Sequence, residues 1–296
     1  MQKLSIEVVN KMIAQRVTGC EIDFVLYISR FQDDRGVVKG VYYKDVAKET
    51  GMSFQQFYNA KQSLQDKGII RVEKNDYTDH DITILDNSYA GLCEMEEKVR
   101  RKPYINTNHD IFYKKKFRAM KPGAKLMALD LMRRTRMNDT GRFHPYKWGV
   151  EKMLENYKTL LGVTKRVIRV YLTQLRQFFG FVLSGKIYEI VPKDVLYRRP
   201  GLRRTENEKF SEHTVQMACR RNKVCIEDDR SLHDTADLCG QYSPYAKDRY
   251  KNIFKVVEEA IGRSAGEQTE KAVLLPKLVH IWVRELLGIE KVKTFY

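Results

Sequence analysis

Two stretches of this chain, 111 residues apart, carry the same helical turn. Repetition on that scale constrains the fold more than any single residue does, because one supersecondary plan then has to serve twice. The first stretch, residues 44–72, reads KDVAKETGMSFQQFYNAKQSLQDKGIIRV. It predicts a short helix over about 44–50, ended at Gly51, since glycine suits the left-handed turn after a helix. Ser53 is placed to cap a second helix through its hydroxyl. Phe57, Ala60 and Leu64 recur at helical spacing as a core-facing stripe, and Gly68 stops the helix. Ile69–Val72 and Asp81–Leu85 predict two strands around a polar loop at 75–80.

The second stretch, residues 155–191, reads ENYKTLLGVTKRVIRVYLTQLRQFFGFVLSGKIYEIV. Leu161-Gly162-Val163-Thr164 falls on Thr50-Gly51-Met52-Ser53, Ile168 on Phe57 and Leu175 on Leu64. Phe181–Leu183 and Lys186–Val191 predict a hairpin around the turn dipeptide Ser184-Gly185. Each copy has an amphipathic helix upstream, one including Phe24–Ile28 and the other spanning Ala124–Met132.

Helix, short helix, glycine turn, capped helix and two-stranded wing is an order that resembles the winged helix-turn-helix family. The resemblance covers about 20–87 and about 109–194, and it rests on element order, turn chemistry and repetition rather than on an invariant motif. It implies DNA binding with the second helix of each unit in the major groove. The expected fold is mainly α with small β wings (α+β): two winged helix-turn-helix domains, 1–98 and 99–204, followed by a helical C-terminal domain, 205–296. The size and two-domain plan also resemble two-winged-helix plasmid replication initiators, in which one domain serves largely for dimerisation and the other for DNA.

Charge separates the two copies. The chain carries 54 Lys and Arg against 38 Asp and Glu, a formal net of +16. Residues 1–98 hold 13 basic and 16 acidic side chains, residues 99–204 hold 26 and 7, and residues 205–296 hold 15 and 15. The whole positive excess therefore lies in the middle third, and it favours a polyanionic partner, double-stranded DNA first. With 43% hydrophobic residues the chain can bury cores, and no apolar run is long enough to predict a membrane span. The N-terminus opens without the apolar run of a signal peptide, and five unpaired-looking cysteines point to a reducing compartment. The expected location is the cytoplasm, in association with the nucleoid.

The candidate base-reading helix spans about 164–179, with Ile168, Leu172, Leu175 and Phe179 on its buried side. Its other side carries Lys165, Arg166, Arg169, Thr173 and Arg176. Arginine is the usual bidentate partner of guanine, so Arg166 and Arg169 are expected to read bases, while Lys165 and Arg176 contact phosphates. Thr164 caps the helix, Ser184 and Lys186 form the wing tip, Lys114, Lys115 and Lys116 precede the upstream helix, and Arg199 and Arg203 lie in a basic exit arm. In the first copy the corresponding auxiliary DNA-binding set is Ser53, Gln55, Gln56, Tyr58, Asn59 and Gln62. Its wing carries Asp76, Asp79 and Asp81, which phosphates would repel, so this copy is expected to serve protein–protein contact or auxiliary base reading.

Residues 205–296 are expected to be helical, with one helix over Tyr245–Ile261 and another over Ala272–Leu287 bounded near Pro276. His213, Cys219, Cys225, His233 and Cys239 lack the close pairs of zinc sites, so no metal is expected. No Walker loop, dinucleotide fingerprint or Ser/His/Asp grouping is present, and neither an enzyme nor a cofactor is expected. The function expected is sequence-specific DNA binding by a homodimer, most simply as a transcriptional regulator. The alternatives are a plasmid or phage replication initiator binding origin repeats, and a non-specific DNA organiser or RNA-binding scaffold. The helical tail would engage a partner protein.

Overall fold

The computed structural model describes residues 2–73, 77–90, 102–107, 109–135, 145–193, 196, 206–249, 251–268 and 271–289. The chain divides into two compact units, residues 1–203 and 204–296. It is a predominantly helical α+β protein with small antiparallel sheets. No helix among the described residues is long and apolar enough to cross a membrane.

Unit 1 opens with β1 (Lys3–Ser5), α1 (Ile6–Ala14), α2 (Gly19–Ile28), β2 (Val37–Val41), α3 (Tyr43–Thr50) and α4 (Phe54–Asp66). β3 (Ile70–Glu73), β4 (His80–Ile84), β5 (Tyr104–Asn106), a 3-10 turn at Asp110–Tyr113 and α5 (Lys115–Arg118) follow. The second half runs α6 (Pro122–Arg134), β6 (Tyr146–Gly149), α7 (Val150–Leu161), α8 (Lys165–Leu175), β7 (Phe179–Ser184) and β8 (Ile187–Pro192).

The repeated turn is built twice by the same local chemistry. Gly51 (φ +77°) ends α3 and Gly162 (φ +63°) ends α7, each donating its N–H four residues back. A side chain at either position would be strained, because the left-handed region suits glycine. Two residues later Ser53 Oγ accepts the N–H of Gln56 at 3.2 Å, and Thr164 Oγ1 accepts that of Val167 at 3.4 Å. These side-chain caps satisfy a backbone donor that the first turn of a helix leaves without a partner.

Both copies also contain a strand that the sequence pattern did not reveal. β2 and β6 precede the short helices and pair with the last strand of each hairpin, so the two sheets run β2-β4-β3 and β6-β8-β7. Four or five residues that pair across 38–46 positions carry too little periodicity to be recognised alone. The candidate helix ends earlier than expected: α8 stops at Leu175, and Phe179 is the first residue of β7, still buried.

The halves 1–98 and 99–204 do not have separate cores. β1 pairs with β5, α1 packs on α6 and α7, and α2 packs on α6. Val9, Met12 and Ile13 of α1 are buried in the same apolar cluster as Leu129, Met153 and Ile168. The apolar side of the N-terminal helix is thus core, and Val17 joins it from beyond the helix end. Packing is close at Gly123, where a β-carbon would meet the Tyr171 ring at 2.4 Å. Gly123→Ala is expected to push Tyr171, and α8 with it, at a cost of about 1–3 kcal/mol. Urea denaturation should show a lower midpoint with unchanged slope. A wild-type midpoint would mean that the ring relaxes freely.

Unit 2 has its own core. α9 (Glu206–Arg221), α10 (Asp229–Asp248), α11 (Ile253–Gly266) and α12 (Pro276–Leu286) bury Val215, Leu232, Val257, Ile261, Val279 and Val283 together. The single helix anticipated over 245–261 is two: α10 ends at Asp248, and Asn252 caps α11 by accepting the N–H groups of Phe254 and Lys255. The apolar spacing runs on across the break, so it does not reveal the cap. Pro276 starts α12, as expected for a residue without an N–H.

Candidate nucleic-acid interface

α8 is amphipathic, and its buried side is Ile168, Tyr171, Leu172 and Leu175. Arg166, Arg169, Val170, Thr173 and Arg176 are exposed. Positions 166, 170 and 173 are four and three residues apart, so they form one outward row opposite the core. Arg169 and Arg176 flank that row. Thr173 donates its hydroxyl to the Arg169 carbonyl at 3.0 Å. Among the described residues, no carboxylate lies within ion-pair distance of Arg166, Arg169 or Arg176. Val170, 46% exposed, was not among the expected site residues. Its place in the row is visible only once the helix register is known.

Lys165 is engaged differently. Its Nζ lies 2.8 Å from Glu151 and 3.1 Å from Glu155, both on α7. Hydrogen bonds from Lys165 and Lys158 hold these carboxylates below their ordinary pKa, and the same contacts raise that of Lys165. The helix carries no acid of its own, but its neighbour supplies two. Arg133 and Arg134 at the end of α6 are likewise occupied, both clasping the buried Asp130 at 2.6 and 2.8 Å.

The hairpin β7–β8 places Ser184 and Lys186 at an exposed tip, with Gly185 at φ +59° completing the two-residue turn. α5 carries exposed Lys115 and Lys116, with Lys114 half-buried just before it. Phe117 of α5 contacts Phe178, and Gln174 of α8 accepts the N–H of Lys121 at 3.3 Å. Phe117 and Lys121 therefore lie beside the C-terminal end of α8 and the turn after it. Arg199 and Arg203 lie outside the described residues.

In the first copy, Gln55, Gln56, Asn59 and Gln62 are exposed on α4. Gln55, Asn59 and Gln62 occupy the three outward positions held by Arg166, Val170 and Thr173 in α8. Gln55 donates to Asn59 at 2.7 Å, while Gln56 and Ser53 close a capping box on each other. Tyr58 is half-buried instead, between Phe54, Phe57 and His80. Two of the three carboxylates of this hairpin are held by the fold. Asp79 is buried, Asp81 accepts the Gly40 N–H at 2.8 Å, and Asp76 lies outside the described residues.

His80 rests against α4, with Lys61 Nζ 3.0 Å from its Nε2. Burial, and then the charge of Lys61, lowers its pKa below the usual 6.5, against the opposite pull of Asp79 and Asp81. A depressed folded-state value stabilises the neutral ring. The contribution is present above 6.5 and is lost as pH falls through the folded value. NMR titration is expected to show His80 ionising below 6.5, with α4 resonances shifting in step; a midpoint at 6.5 or above would refute this.

The histidines and cysteines of unit 2 do not converge. Cys219 and Cys239 are buried in the apolar core, which pushes their thiols up to about 12 and about 11. His233 pairs with Glu212 at 2.9 Å. Among the described residues, no group of three His, Cys, Asp or Glu side chains is placed to hold a metal ion.

Comparison with protein-family models, with curated proteins and with solved structures gave no match to this chain.

Proposed function

We propose that this protein binds double-stranded DNA sequence-specifically through tandem winged helices, with α8 reading bases and β7–β8 serving as its wing, and that it acts as a dimeric transcriptional regulator. The observation that carries the reading is α8 itself: one helix with a deeply buried side, and opposite it the exposed Arg166, Arg169 and Arg176, none of which forms an ion pair among the described residues. Two further features support it. Both halves of unit 1 have the same order of helix, strand, helix, glycine turn, capped helix and hairpin, and the same strand order in their sheets. The basic excess of residues 99–204 coincides with the half that contains α8.

Within this reading Arg166 and Arg169 bond guanine edges, and Val170 and the Thr173 methyl meet thymine methyls. Arg176, Lys186, Lys115 and Lys116 contact phosphates, which position without specifying. Lys165 is set aside, because Glu151 and Glu155 already neutralise it. The amide row of α4 adds auxiliary adenine contacts. The burial of Asp79 and the bonding of Asp81 favour that role for the first copy. The test is selection of binding sites from random duplexes with the full chain. Enriched inverted repeats are expected, as two chains related by a twofold axis would require. Direct repeats would point to origin binding, and no enrichment would refute sequence-specific recognition.

A further inference from the structure

Three large apolar side chains project from the tip of one hairpin: Val182 and Leu183 are each 59% exposed, and Ile187 is 44% exposed. Ser184 pairs with Ile187 and Leu183 with Tyr188. Val182 and Ile187 therefore share one face of the hairpin, and Leu183 lies on the other. Apolar groups thus wrap both sides of a tip whose turn residues are Gly185 and Lys186. Scattered single apolar residues are ordinary on a surface, whereas a contiguous group marks a contact. These three lie beyond the core that holds Phe179 and Ile190, so packing does not account for them.

Charge selects the occupant. Glu189 is the one acidic residue in the hairpin sequence, and Lys147 pairs with it at 3.0 Å. Lys186 stands at the turn, within a segment of 26 basic and 7 acidic side chains. A second copy docking tip to tip would bring two lysines together, whereas a phosphate-walled groove would complement both the charge and the apolar group.

We propose that Leu183 and Ile187 insert from the minor groove between base pairs, so that this hairpin unwinds and kinks the DNA that α8 reads. Apolar wedges of this type, Leu and Ile included, partly unstack a base step and bend the duplex. The inference rests on the DNA-binding reading above, and it adds a deformation that α8 alone would not produce.

The test uses the full chain with relaxed closed-circular plasmid DNA and a type I topoisomerase. Insertion unwinds the duplex, so wild-type protein is expected to leave negatively supercoiled topoisomers in proportion to the chain bound. Leu183→Ser/Ile187→Ser is expected to lose most of that shift per bound chain, and Leu183→Met/Ile187→Met to keep it. Arg166→Ala/Arg169→Ala should instead lower the amount bound, with the shift per bound chain intact. Wild-type protein that binds the plasmid without a shift overturns the insertion and leaves DNA binding standing. An equal shift from the serine variant overturns it as well. So does loss of self-association in that variant with the shift retained, which assigns the tip to a second copy. Failure of wild-type protein to bind the plasmid overturns this inference together with the reading beneath it.

Discussion

Lys125→Met on its own is expected to destabilise unit 1 by about 3–5 kcal/mol, the cost of stranding one member of a buried ion pair. Lys125 Nζ on α6 lies 2.7 Å from Asp23 on α2, and the lysine side chain is 2% exposed. This pair joins the first helices of the two copies. Burial raises the pKa of Asp23 even though Lys125 opposes the shift, so desolvation already outweighs the pairing. With the lysine gone, only the smaller effects of Arg118 and Arg30 would oppose the desolvation of a charged Asp23, and the folded state would favour its protonated form more strongly. The destabilisation should therefore be greatest at neutral pH and should ease as pH falls through the raised value. Asp23→Leu/Lys125→Met is expected to recover most of the loss, because apolar replacement of a whole buried pair is often neutral or stabilising. Urea denaturation of the single and double variants at two pH values measures all of this. A single-variant cost below about 1 kcal/mol would show that the pair does not join the halves. For the same reason a cut between residues 98 and 99 should yield pieces that do not fold alone, since it divides one core.

Arg166→Ala/Arg169→Ala should weaken binding to a selected site by about 2–6 kcal/mol, a loss of at least thirtyfold, if each arginine makes a bidentate guanine contact. The salt dependence then separates two roles. Base readers leave the slope of log K against log salt unchanged, whereas each lost phosphate contact reduces it by about 0.9. Arg176→Ala and Lys186→Ala are expected to reduce the slope with uniform loss across sequences. Lys165→Ala is expected to change neither affinity nor slope appreciably, because Glu151 and Glu155 already pair with that side chain at the surface. A large loss from Lys165→Ala would mean that the ion pairs open on binding. Unchanged binding by the double arginine variant would remove α8 from the interface.

The features of unit 1 that the residues announced are those that local chemistry controls. Gly51, Gly162 and Gly185 all adopt the left-handed conformation that their positions imply, and Ser53 and Thr164 cap as their hydroxyls allow. The stripes Phe57–Ala60–Leu64 and Ile168–Leu172–Leu175 are buried as helical spacing implies. Each of these depends on contacts within a few residues. The features that escaped notice depend on residues far apart. β2 and β6 have partners more than 35 residues away, and Glu151 finds Lys165 across two helices. Asn252 in unit 2 is the exception, a local cap masked by an apolar spacing that runs on across it.

Amino-acid order alone determined that one supersecondary plan occurs twice, and that the second copy carries the positive charge. Turn geometry, capping and net charge are local or additive properties, so they survive without coordinates. Tertiary structure alone decided that the two copies share one core and which cations remain available. It tied Lys165, Arg133 and Arg134 to carboxylates, left Arg166, Arg169 and Arg176 facing outward, and placed Leu183 and Ile187 at the hairpin tip. Availability depends on what the neighbouring elements bring within a few ångströms, and packing sets that distance.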